Sequence, residues 1–276
     1  MSDQALLAIV VTVALIVGPL MTLRALSRRA AAQTPARDEA WLAGLDTRLP
    51  QALPVLRHLP EALRQRHAQR VREFLLDKRF IGCDGLEVDD DMRLTVAAWA
   101  CLLVLQPDAS LFPAVRSVLL YPGAFLVPVD EPDEFGLVDD EPQERIGESW
   151  QGDRVILSWE DVQAATAGDG VNVVVHEFAH QLDDESPFEG APQLPDYERW
   201  SRVMTREYER LQRHRRPPVL DPYGAESPGE FFGVVSEAFI QRGNELAQHH
   251  AELYALLRDY YGFETRDWRW ATEAAV

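Results

Sequence analysis

The chain has 276 residues, 27 of them Lys or Arg and 45 Asp or Glu, giving a formal charge of −18. With 46% hydrophobic and 26% charged residues it has the make-up of a folded protein with an acidic surface, which excludes disorder as the whole answer. Such a surface argues against sequence-independent nucleic-acid binding, which needs a cationic field, and two cysteines with no CxxC pair exclude both a disulfide scaffold and a cysteine zinc site.

Residues 4–23 carry no charge, and as a helix they would span about 30 Å, the hydrocarbon thickness of a bilayer. Only Asp3 precedes this run, whereas Arg24, Arg28, Arg29 and Arg37 follow it. That asymmetry predicts an uncleaved anchor with its C-terminal flank in the cytoplasm; a leader cleaved near residues 30–32 is the alternative. The expected organisation is an anchor at 1–29, a polar linker at 30–40 and one folded domain at 41–276. The excess of acids belongs to that domain.

Within the domain, helical spacing marks residues 40–45 and then 61–76, where Leu63, His67, Val71, Phe74 and Leu75 recur on one face. Residues 80–86 read as a turn. Asp89, Asp90 and Asp91 supply a cap and first-turn acids for a helix through Leu105, and their pattern is too short for a calcium loop. Cys101 falls in the apolar part of that helix and reads as a core thiol. Residues 115–121, 125–129 and 155–159 are short, β-branched and bounded by Pro or Gly, hence strands. Residues 130–144, with eight acids, Pro132 and Pro142, read as a solvated loop. From Val171 onward the pattern is again helical.

That last region contains His176-Glu177-Phe178-Ala179-His180, an HExxH sequence. Four residues are about 400° of helix, so the two imidazoles lie one turn apart on the same face and can take two corners of a zinc tetrahedron. Glu177, one step round, can face a metal-bound water as general base. Burying Glu177 beside Phe178 and three valines without a cation would be costly. Asp183 and Ser186 stand where a metzincin would need Gly and His, so that subclass is excluded.

The third ligand lies further on, with Glu198 and Glu230 as candidates. Ser227-Pro228-Gly229-Glu230 matches a capping box with proline at the first helical position, which puts Glu230 in a first turn. Glu237 follows seven residues later on the same face. Two carboxylates on one face of an apolar helix favour Glu230 as ligand, with Glu237 holding a histidine Nδ1–H behind it. Glu198 has charged neighbours and reads as a solvated helix start. Asp183 is either a ligand-orienting acid or a helix-end cap. Tyr223, after Asp221-Pro222, reads as a packed turn tyrosine, although its phenol also suits an oxyanion.

The strings NVVVHEFAHQLD (172–183), DPYGAESPGEFFGVVSEAF (221–239), VILSW (155–159) and LLYPGAF (119–125) resemble the Mlc titration factor A family of bacterial zinc peptidases. That family is in turn similar to the catalytic domain of anthrax lethal factor. The resemblance implies Zn2+ on His176, His180 and Glu230, Glu177 as base and Tyr223 as oxyanion donor. It implies an α+β, mainly α, gluzincin-like domain with a small β-sheet, here preceded by one transmembrane helix. By analogy with zinc peptidases, the strand at 155–159 would be the edge that pairs with an extended peptide.

The family is described as aminopeptidase-like and, in enteric bacteria, as binding a glucose-responsive transcriptional repressor. The expected function is therefore zinc-dependent hydrolysis of a peptide or protein substrate at the bacterial inner membrane, with the catalytic domain cytoplasmic. Sequestration of a transcriptional regulator with weak peptidase activity is the alternative, and ligand types alone leave open a non-peptide substrate. Two departures stand out. Soluble enteric members lack the apolar N-terminal segment, and Gly233 replaces the alanine expected after Phe231-Phe232, a change expected to affect only helix packing.

Overall fold

The computed structural model describes residues 39–127, 143–145, 147–150, 153–167, 171–185, 196–213 and 218–269. It opens with two short helices, α1 (Glu39–Ala43) and α2 (Leu45–Ala52), and a 3-10 turn at Pro54–His58. Helix α3 (Glu61–Asp77) buries His67, Val71, Phe74 and Leu75, the face marked by its spacing. A short strand, β1 (Arg79–Gly82), follows where the sequence reads as a turn. Phe80 explains the difference: it is 4% exposed and packs edge-on against Phe74. The reversal itself comes one step later, at Asp84 and Gly85, both with positive φ.

Helix α4 (Asp90–Leu102) starts on Asp89, whose carboxylate accepts the Met92 N–H at 2.8 Å. From Val96 to Leu102 every residue is buried, so α4 is the central post of the core, with Cys101 a free thiol inside it. Strands β2 (Ser117–Tyr121), β3 (Phe125–Val127), β4 (Gln143–Arg145), β5 (Gly147–Trp150) and β6 (Arg154–Ser158) come next. One sheet has the order β1-β2-β6-β5, in which the first three are parallel and β5 runs antiparallel to β6; β3 and β4 form a separate two-stranded ribbon.

This order corrects one expectation. The strand at 155–159 is not an edge: β6 is bonded to β2 on one side and to β5 on the other. Its residues Val155 and Leu157 are fully buried, as an inner parallel strand requires. Residue 144, expected in a loop, is in β4; residues 128–142 lie outside the described residues.

The remaining elements are helical: α5 (Trp159–Ala167), α6 (Val173–Asp184), α7 (Tyr197–Arg213), a 3-10 turn at Pro222–Ala225, α8 (Pro228–Gln241), α9 (Gly243–His249) and α10 (Ala251–Tyr261). Phe178 of α6 meets Phe112 with ring centroids 4.7 Å apart and Phe74 at 5.6 Å, which ties α6 to the core behind the sheet. After α10 the chain comes back to the 3-10 turn at Pro54–His58. Trp268, 5% exposed, stacks on His58, and the Arg57 guanidinium donates to the Arg269 carbonyl at 3.2 Å. The fold is thus mainly helical with a small, largely parallel sheet.

The membrane placement is corrected as well. Among the described residues no helix is long and apolar enough to cross a membrane. The longest, α3 and α7, have 17 residues and carry charges along their exposed faces, against about 20 apolar residues needed. Residues 4–23, on which an inner-membrane, single-pass position with a cytoplasmic domain rested, lie outside the described residues.

Candidate metal centre

Helices α6 and α8 build the site. The Asn172 side chain starts α6 by accepting the Val175 N–H at 3.0 Å, while its own backbone N–H donates to Glu237 Oε2 at 2.7 Å. One carboxylate of α8 thereby fixes the first turn of α6. The other Glu237 oxygen, Oε1, lies 2.6 Å from His176 Nδ1, so Nδ1 carries the hydrogen and Nε2 faces the opposite way.

Nε2 meets Glu230. Helix α8 begins on Ser227, whose hydroxyl accepts the Glu230 N–H at 3.1 Å, with Pro228 at the first helical position. The Glu230 side chain does not fold back to complete a capping box. Its Oε2 lies 2.9 Å from His176 Nε2 and 3.4 Å from His180 Nε2. The ligand atoms of His176, His180 and Glu230 all fall within 4.8 Å of one another. A four-coordinate cation bonded at 2.0–2.1 Å would hold its ligand atoms about 3.3 Å apart, a spacing that both contacts of Glu230 with the histidines come near.

The electrostatics fit a cation too. Burial opposes a charge on His176, but its hydrogen bonds to Glu230 and Glu237 outweigh burial and hold its pKa at about 10. Burial likewise raises Glu230, yet contacts with His176 and His180 pull its carboxyl far below the usual range. The pocket holds two acceptor carboxylates around one imidazole, a surplus of negative charge.

Glu177 lies on α6 between the two histidines, 5% exposed. Tyr223 stands in the 3-10 turn that packs on α8, 47% exposed, its ring centroid 6.1 Å from that of His176. Its backbone N–H is held by the Asp221 carboxylate at 2.8 Å, so the phenol is presented at the rim instead of being packed as a turn residue. Glu198 is exposed at the start of α7 and is not part of the trio. Asp183 is buried in the last turn of α6, where its charge bears on Tyr260.

Gly233 corrects another expectation. It does more than adjust helix packing, because it faces the His176 ring itself. Residues 230, 233 and 237 share one helical face, which puts Gly233 on the side of the site but leaves the close approach of the ring to be seen only in the fold. Sequence reasoning had no signal for a second histidine-carboxylate cluster, in which buried His250 donates its Nδ1–H to the Glu207 carboxylate of α7 at 2.8 Å.

Comparisons with known proteins agree with this chemistry. The model of the family described as glucose-regulated metallo-peptidase M90 matches residues 24–262. An uncharacterized protein of Synechocystis sp. is 40% identical over 223 residues, covering 77% of this chain and 81% of its own. Mlc titration factor A of Klebsiella pneumoniae is 30% identical over 235 residues, covering 82% and 89%. Mlc titration factor A of Serratia proteamaculans is 31% identical over 219 residues, covering 76% and 84%. With a histidine pair and a glutamate converging at one point, and a family model matching most of its length, the chain belongs to the glucose-regulated metallo-peptidase M90 family.

Proposed function

We propose that the chain is a zinc-dependent peptidase of the gluzincin kind, aminopeptidase-like, in a single catalytic domain at 41–276. The observation that carries this reading is the convergence of His176, His180 and Glu230 beside Glu177. Two imidazoles and one carboxylate are a donor set suited to catalytic zinc, and the three protein ligands leave a fourth position open. A zinc ion held there supplies Lewis acidity, polarising a peptide carbonyl and making bound water acidic near neutral pH.

The chain's own residues do the rest. Glu177 takes the proton of the attacking water and returns it to the leaving amine, acting in turn as base and acid. Tyr223 donates its phenolic hydrogen to the oxyanion that develops on the carbonyl. Glu237 keeps the hydrogen of His176 on Nδ1, leaving the Nε2 lone pair for the metal. Strand β5, on the outside of the sheet beside α6, offers a backbone edge to which an extended peptide can add as a further strand.

Glu177→Gln tests this mechanism. It should keep stoichiometric zinc and lose peptide hydrolysis by at least about a thousandfold; full activity would refute the role of Glu177. The name Mlc titration factor A, carried by relatives of this chain, favours a second reading: the same fold binds a transcriptional regulator. A regulator held equally by wild type and Glu177→Gln would establish binding independent of hydrolysis.

A further inference from the structure

Gly233 lies three residues after Glu230 and four before Glu237, on the α8 face that meets α6. A Cβ at this position would sit 2.7 Å from Cε1, 2.8 Å from Nδ1 and 2.9 Å from Nε2 of His176. Ordinary non-bonded carbon contacts begin near 3.5 Å. The imidazole is therefore laid directly against the helix backbone. The Gly233 φ is that of an ordinary helix, where alanine is the better residue, so contact with the ring is what calls for glycine.

The ring cannot simply retreat from a new methyl group. Its Nδ1 is held at 2.6 Å by Glu237 and its Nε2 stands 2.9 Å from Glu230, one helical turn to either side. Any movement away from α8 stretches both contacts together. Every other part of the trio is a polar group; Gly233 contributes only the space.

We infer that Gly233 is a positioning residue, whose missing side chain sets how deeply His176 seats between α6 and α8 and so sets the spacing of the metal-binding trio. This rests on the metal-site reading. It implies that in this chain alanine at 233 is not neutral.

Gly233→Ala, made in the full chain, tests the inference. Zinc affinity, measured by chelator competition, should fall at least tenfold, because donor atoms must hold position to about 0.2 Å. In the metal-free protein, the proton resonance of the His176 Nδ1–H bonded to Glu237 should shift toward that of a weaker hydrogen bond. A double-mutant cycle read by thermal unfolding keeps the test open if the variant folds poorly. In a His176→Ala background, which removes the ring, alanine at 233 should raise the unfolding midpoint; with the ring present it should not. Equal gains in both backgrounds, or a zinc affinity within twofold of wild type with an unmoved resonance, would overturn the inference. Failure of the wild type to bind zinc would instead refute the proposed function, while the cycle would still report on the contact between Gly233 and His176.

Discussion

Two clusters in this protein set a buried histidine against glutamate, and they differ in how their charge is balanced. At the α6–α8 junction His176 stands between Glu230 and Glu237, with no arginine hydrogen-bonded to it among the described residues. At the α7–α10 junction His250 meets Glu207, and the same carboxylate also accepts from Arg206 at 3.0 Å and from Arg210 at 3.3 Å. There the cations are supplied by the chain; burial raises the Glu207 carboxyl, but its partners outweigh that and bring it down to about 2. The first cluster sets its carboxylates against histidines alone; the second adds two arginines, although its His250 Nε2 is buried without a hydrogen-bond partner. A histidine beside a carboxylate is thus not itself the mark of a candidate metal centre; the convergence of two histidines on one glutamate is what sets the first cluster apart.

Glu230→Gln gives the largest expected effect. It should lower zinc affinity at least about a hundredfold and hydrolysis about a thousandfold, since one ligand loses its charge. Unfolding of the metal-free variant should show a modest loss of stability, because Glu230 shares with Glu237 the hold on the His176 proton while Glu237 still fixes the start of α6. Chelator competition and a peptide cleavage assay check this; a variant that keeps zinc would make the two clusters equivalent.

Glu207→Gln should show the opposite profile. Removing a buried acceptor of several cationic donors should cost about 2 kcal/mol of stability, read by denaturant unfolding, with zinc affinity unchanged. Its depressed pKa also gives the direction of acid sensitivity. The carboxylate's stabilisation is complete above its unfolded value of 4.5 and is lost as pH falls toward about 2.

Taken per pH unit, the smallest expected effect is graded. In the metal-free protein His176 keeps its proton up to about pH 10, so a cation must displace that proton. Zinc affinity should rise with pH, by about tenfold per unit for this one proton, up to that limit. The raised pKa stabilises the metal-free protein fully below 6.5 and ceases to do so as pH passes about 10. Affinity that is flat with pH would mean that the two carboxylates do not hold the proton on His176.

The site was legible because its residues announce themselves by period. HExxH places two imidazoles on one helical face, and Ser227-Pro228 fixes where α8 starts and hence which way Glu230 and Glu237 point. What escaped depends on contacts between distant segments. Strand β1 is four residues long, and its parallel pairing with β2, nearly forty residues on, together with Phe80 seated on Phe74, distinguishes it from a turn. The inner place of β6 depends on β5, whose short run at 147–150 has little β-branched character. His250 and Glu207 are 43 residues apart, with no spacing rule to join them. Gly233 was visible as a departure, but its meaning required the depth at which another helix lays a ring.

The return of the chain after α10 has a consequence for how the molecule opens. His58 and Trp268 stack across most of the described length, with the Arg269 N–H 3.5 Å from His58 Nε2. Each of these two segments therefore shields the other from local opening. Cutting the chain at residue 262, where the family match stops, would remove Trp268 and Arg269 and uncover the His58 side of the Pro54–His58 turn, while Val55 and Leu56 keep that turn anchored in the core.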